Sequence, residues 1–289
     1  MICKEEETML FLDVKIDFAF KKIFGSEQSK AVLIDFLNAI IDFGVENITD
    51  LSIVDSYQPP LLKGMKDSYI AVKAVLSNQV KVIFEIQVLN VEGFEQRVLY
   101  NAAKLYSTRL KKAQKYETME TIIALTITDF EMFPEFANVI SYWNLDERES
   151  LLKYSDDVEL IFVELPKFTR SVEGLTTITD KWIYFLKHAA ELDSIPKSFT
   201  EPYLLEAFDL ANTAMLSEEE LEDYFKRRDF ICLQKGILEK AEKDGLAKGI
   251  EQGKIEAALN MLHDNLSVAK ISKYVGLEKE VIEQLQNKE

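Results

Sequence analysis

A chain of 289 residues, 47% of them hydrophobic, is long enough for one substantial α/β core with a smaller appendage. Its formal net charge of −16 argues against non-specific coating of nucleic acid. Two histidines (His188, His263) and two distant cysteines (Cys3, Cys232) exclude a His-rich metal site and support neither a zinc site nor a disulfide framework. No run of about 18 uncharged apolar residues occurs, and the opening "MICKEEETMLFLDVK" carries acids where a secretory signal needs a basic start, so a cytoplasmic protein without a membrane partner is expected.

In chain order, "LDVKIDFAFKKIFGSEQSKAVLIDFLNAII" places apolar residues at helical spacing twice, first from Val14 to Phe24 and then from Val32 to Ile41. Gly25-Ser26 ends the first helix, and Ser26 caps the second. "ITDLSIVDSYQPPL" alternates up to Pro59-Pro60 and predicts a strand near 48–57. "DSYIAVKAVLSNQVKVIFEIQVLN", residues 67–90, predicts a hairpin turning at Ser77-Asn78. A helix over 92–112 comes next, with Val98, Ala102, Leu105 and Leu110 on its buried side. The acid-free stretch from Gln96 to Tyr116 holds Arg97, Lys104, Arg109, Lys111, Lys112 and Lys115. "TIIALTITDF" and "DDVELIFVELPKF" read as buried sheet strands, and "NVISYWNL" as a strand nearer an edge.

Beyond about residue 170 the pattern is helical only: "ITDKWIYFLKHAAEL", "YLLEAFDLANTAML" and one long helix from Glu218 to about His263. Gly245, Gly249 and Gly253 recur every four residues on that helix, a stripe that suits close approach of a sister helix in a homo-oligomer. The tail "LSVAKISKYVGLEKEVIEQLQNKE" outlines two short helices around Gly276. Glu278, Glu280 and Glu283 in the second would be repelled by phosphate, which disfavours a DNA-binding regulator and favours protein binding or oligomerisation. The domain expectation is a core over 1–170, a helical extension over 171–217 and an oligomerising helix and tail over 218–289.

Residues two apart on a strand share a face, so Glu85 and Gln87 project together, as do Ala71 and Lys73 on the partner strand. A carboxylate at 71 beside Glu85 would form the oxygen-rich pair that a hard cation such as Mg²⁺ requires; Ala71 supplies none. Taken alone, Glu85-x-Gln87 is equally a solvated strand face.

The blocks "DVKIDFAFKKIFG", "YIAVKA", "VIFEIQVLNVEGFEQRVLYNAAKLYS", "IIALTITDF" and "ELIFVELPKF" together resemble the recombination-promoting nuclease and putative transposase family of the PD-(D/E)XK nucleases, over about residues 11 to 190. The resemblance implies an α/β, restriction-endonuclease-like core with a mixed central sheet flanked by helices, then an all-helical C-terminal region. It also implies DNA cleavage dependent on Mg²⁺ or Mn²⁺. Glu85 matches the acid of the (D/E)-x-K element, and Gln87 stands at its lysine. Asp17 matches an N-terminal acidic position, with Lys21 one turn later; a capping or surface acid is the other reading of Asp17. Lys73 is a neighbour of the site. Lys21, Arg97, Tyr100 and Lys104 are candidate DNA contacts, Tyr100 being equally a packing residue.

The departure is at Ala71, where relatives carry the metal-binding Asp in "LDVKA". Two explanations compete: a blocked but otherwise complete nuclease, or a degenerate, catalytically silent interaction protein. The retention of Asp17, Lys73, Glu85 and Gln87 favours the first.

Overall fold

A computed structural model describes residues 10–43, 47–54, 57–58, 68–69, 71–76, 80–107 and 121–287. The chain divides into two compact units, Met1–Ile231 and Cys232–Glu289.

In the first unit, α1 (Asp17–Phe24) carries an acid in its first turn and Lys21 and Lys22 in its last, both favourable to the helix dipole. Ser26 accepts a hydrogen bond from the Ser29 amide and starts a short 3-10 turn that leads into α2 (Lys30–Ile40). The strand expected over 48–57 is broken: β1 is Leu51–Val54, and Tyr57–Gln58 forms β2, which pairs with β3 (Ser68–Tyr69) in a separate two-stranded ladder. The hairpin strands are β4 (Val72–Leu76) and β5 (Lys81–Gln87), closed by a Leu76 amide to Val80 carbonyl bond. The predicted turn at Ser77-Asn78 lies outside the described residues. So do Leu110, Arg109, Lys111, Lys112 and Lys115, because the described part of α3 is Phe94–Ser107. Then come β6 (Ile122–Thr128), β7 (Ile140–Asp146), β8 (Lys153–Glu164), α4 (Ile178–His188) and α5 (Pro202–Ala211).

The main sheet has strand order β1-β4-β5-β6-β8-β7. The β5–β6 and β6–β8 pairs are parallel and the others antiparallel, with β7 at an edge as its alternating sequence predicts. This is the mixed sheet flanked by helices that the sequence implies. One face carries Val72, Phe84, Leu125 and Ile161 into a large core with α1, α2, α4 and α5, where Trp182 and Phe36 are fully buried. The other face carries Ile83, Ile122 and Ala124 against Ala102 and Leu105 of α3. Because α3 crosses from β5 to the parallel β6, it lies over the face from which Glu85 projects.

The long helix α6 runs Glu218–His263, with the limits read from the sequence. Its first turns belong to the first unit: Tyr224 is fully buried with Leu12, Ile16 and Ala19, and its hydroxyl accepts from the Asp13 amide. In the second unit, α7 (Val268–Val275) and α8 (Lys279–Gln286) bury Ile271 and Ile282 with Ala258 of α6. Gly276 joins them at φ 71°, a left-handed position that favours glycine. One expectation is corrected here: Cys232 is disulfide-bonded, while Cys3 lies outside the described residues. Among the described residues no helix is long and apolar enough to cross a membrane.

Candidate active site

The site begins with the alternation of β5. Val82, Phe84 and Ile86 enter the large core, where the Phe84 ring meets Phe20 at 4.4 Å and stacks on Phe36 at 5.0 Å. Anchoring Phe84 on one face obliges Glu85 and Gln87 to leave on the other, beneath α3. The register pairs Val72 with Phe84 and Lys73 with Ile83. The paired residues end at Val72, and position 71 lies just beyond them. Ala71 itself sits in the bend just before β4, half-buried and touching the large core. Lys73 is half-buried beside Ile83.

α3 supplies the groups that meet the two polar side chains of β5. Arg97 Nη2 donates to Glu85 Oε1 at 2.8 Å and to Gln87 Oε1 at 2.6 Å. Gln87 Nε2 donates to the Leu89 carbonyl at 2.7 Å, which fixes which end of its amide faces Arg97. The guanidinium lies over the Phe94 ring at 5.0 Å. The Glu85 side chain keeps only 17% of its exposure. Burial pushes its carboxyl above the usual range, against the opposing pull of the Arg97 charge and hydrogen bond and a weaker one from the Asn101 amide. Asn101, one turn beyond Arg97, is 1% exposed, its amide close enough to pull on the Glu85 carboxyl but without a well-formed hydrogen bond among the described residues. A buried amide without a full complement of hydrogen bonds costs about 1–3 kcal/mol.

The remaining predicted residues divide. Asp17, at the first position of α1, accepts from Arg227 Nη1 of α6 at 2.6 Å, with Lys21 at 3.9 Å. Asp17 and Gln87 line one open groove of about 380 Å³ with Lys15, Val88, Lys226, Arg227 and Phe230. The structure thus brings Asp17 to the Gln87 end of β5. Lys21 is half-exposed. Tyr100 and Lys104 form a cation–π pair at 5.8 Å, and Lys104 is only 3% exposed, so no phosphate reaches its ammonium in this arrangement. Two residues escape the sequence reading. Asn101 carries a weak signal, a polar side chain four residues from Arg97 on a helix face that is otherwise packed. Arg227 carries none, since 210 positions separate it from Asp17.

A divalent cation of the Mg²⁺ type requires several oxygen ligands, carboxylates above all. On β4 and β5 Glu85 is the single carboxylate, and one of its oxygens and the Gln87 oxygen already face a guanidinium. Among the described residues no group of three or more His, Cys, Asp or Glu is placed to hold a metal. The residues present therefore do not fit a divalent ion as they stand.

Comparison with known proteins adds one match: a family model described as PD-(D/E)XK nuclease family transposase covers residues 14–241. No curated protein and no solved structure is significantly similar to the chain.

Proposed function

The chain belongs to the PD-(D/E)XK nuclease family transposases, and from that membership we propose that it is a cytoplasmic DNA endonuclease of the hydrolytic type, attenuated at Ala71. The observation that supports this reading is the polar face of β5, where Glu85 and Gln87 leave together opposite the buried Phe84 and meet Arg97 of α3. Hydrolysis of a phosphodiester needs a strongly polarised phosphate and a water stripped of a proton. Glu85, raised by burial, and Gln87, fixed on the Leu89 carbonyl, are groups suited to hold and orient that water. The second carboxylate that would gather a cation beside them is missing. Losing such electrostatic stabilisation costs about 10²–10³ or more in turnover.

The test is Ala71→Asp, assayed for nicking and linearisation of supercoiled plasmid with Mg²⁺ or Mn²⁺. Metal-dependent cleavage in the variant, absent or far slower in the parent, is the expected outcome. An inert variant of unchanged fold, across both metals and several substrates, refutes the reading. In this proposal Lys21 and Arg97 remain the candidate phosphate contacts, and Tyr100 a packing residue on α3.

A second reading has its own support. In the second unit, a Cβ added at Gly245, Gly249 or Gly253 would meet nothing within 4 Å, and Leu233, Ile237, Leu246 and Ile250 of the same helix are exposed. We infer a self-associating helix that acts as an assembly element with or without catalysis. Gly245→Ala with Gly249→Ala tests it by light scattering. Association that weakens supports a close helix–helix contact; an unchanged mass, with a helix more stable by roughly 1 kcal/mol per substitution, refutes it.

A further inference from the structure

The misfit between this site and a divalent cation has a specific cause in the structure, the Arg97 guanidinium. One nitrogen of it reaches both the Glu85 carboxylate and the Gln87 amide oxygen, at 2.8 and 2.6 Å. These are the two oxygen donors that the hairpin presents on that face. We propose that Arg97 is the resident cation of this site, a positioning residue that holds Glu85 and Gln87 in place and excludes a divalent ion by occupying their oxygens. The proposal rests on the nuclease reading above for the identity of the competitor, but not for the contact itself.

Two features beyond the distances support it. The Arg97 side chain is 42% exposed, so the guanidinium can leave toward solvent without unpacking the core. Glu85 is far less exposed, and without Arg97 its charge would lie buried and unpaired, a state that attracts any available cation. Removing the guanidinium would free the oxygens of Glu85 and Gln87 together, the donor chemistry of a hard cation. Arg97 and an ion thus compete for one set of atoms. With no carboxylate at position 71, the guanidinium wins.

The experiment measures Mn²⁺ binding, by calorimetry and by electron paramagnetic resonance, to the full chain and to Arg97→Gln, Ala71→Asp and the double variant. Glutamine at 97 keeps an amide donor for Gln87 and removes the charge; circular dichroism checks each fold. The parent is expected to show no saturable Mn²⁺ binding into the millimolar range. The double variant should bind at least about tenfold tighter than Ala71→Asp alone, since a unit charge within about 4 Å of the ion has been removed. Equal or weaker binding by the double variant, no binding by it, or stoichiometric binding by the parent overturns the proposal.

Should Arg97→Gln fail to fold, the Arg97 side-chain ¹⁵Nε resonance of Ala71→Asp is followed during a Mg²⁺ titration. A shift that tracks ion binding supports displacement, and ion binding that leaves the resonance unmoved, or no binding at all, refutes it. The two readings separate cleanly. Cleavage by Ala71→Asp with no effect of Arg97→Gln on Mn²⁺ affinity sinks the competition and leaves the nuclease; tighter Mn²⁺ binding with no cleavage by any variant does the reverse.

Discussion

Lys167→Met removes one half of an ion pair that is closed to solvent. Glu164 is fully buried and Lys167 is 5% exposed, and they meet at 2.6 Å. Glu164 Oε1 also accepts from the Met132 amide at 2.5 Å and the Phe133 amide at 3.0 Å, while Lys167 Nζ donates to the Phe133 carbonyl at 2.7 Å. Breaking a buried pair from one side costs about 3–5 kcal/mol, because a charge is left uncompensated. Two amides still hold the Glu164 carboxylate in the variant, so the lower end, about 3 kcal/mol, is expected. For a domain of this size that corresponds to roughly 6–12 °C in Tm. Urea unfolding at neutral pH is the assay, with Glu164→Gln/Lys167→Met as companion; its neutral amide oxygen accepts from the same two N–H groups and should recover most of the loss. A loss under about 1 kcal/mol for Lys167→Met would refute the reasoning, since a cost that small belongs to exposed pairs. The consequence reaches the site: the loop this pair fixes carries Phe130, whose ring meets Phe94 at 5.7 Å at the start of the helix bearing Arg97.

Phe84→Ala should cost about 3–5 kcal/mol, because its ring fills the space between Phe20, Phe24 and Phe36; urea unfolding that reports under about 1.5 kcal/mol would contradict that packing. Asp180 gives a pH dependence. Burial alone would raise its carboxyl, but amides of Thr176 and Thr177 and the Arg170 guanidinium outweigh that and hold it below the ordinary range. Its folded pKa being depressed, the stabilisation is present above the unfolded value of about 3.9 and is lost as pH falls through the folded one. Asp180→Asn should therefore cost about 1 kcal/mol at pH 7, and the difference from the parent should vanish below the folded pKa; a difference that persists there would show that the charge is not the cause.

Glu85 and Gln87 are legible because a strand has a period of two and their neighbours Phe84 and Ile86 are apolar, so the face they occupy follows from the sequence alone. The limits of α6 are legible too, since Ser217 and the acids at 218–220 mark a helix start and no breaker intervenes; Ser217 Oγ does accept from the Glu220 amide. The contacts that occupy the site are not. Arg97 reads as a residue for DNA, yet a carboxylate 12 positions earlier accepts its hydrogen bond. Lys104 lies seven residues after Arg97 and three after Asn101, on the side of α3 that turns inward, and a charge count cannot reveal that. Asp17 finds Arg227 only because α6 folds back over α1, where Lys22 also pairs with Glu220 at 2.7 Å. Of the single strand expected over 48–57, Leu51 to Val54 pair with β4, while Tyr57 pairs with Tyr69 in a separate ladder, a change of partner that the alternation of apolar residues does not encode.

The most direct test of the account compares plasmid cleavage by the parent chain, Ala71→Asp and Ala71→Asp/Glu85→Gln, at equal folding and with Mn²⁺ or EDTA. The account predicts Mn²⁺-dependent nicking by Ala71→Asp alone, abolished by EDTA and by the loss of Glu85. Equal cleavage by all three, or none by Ala71→Asp, would contradict it.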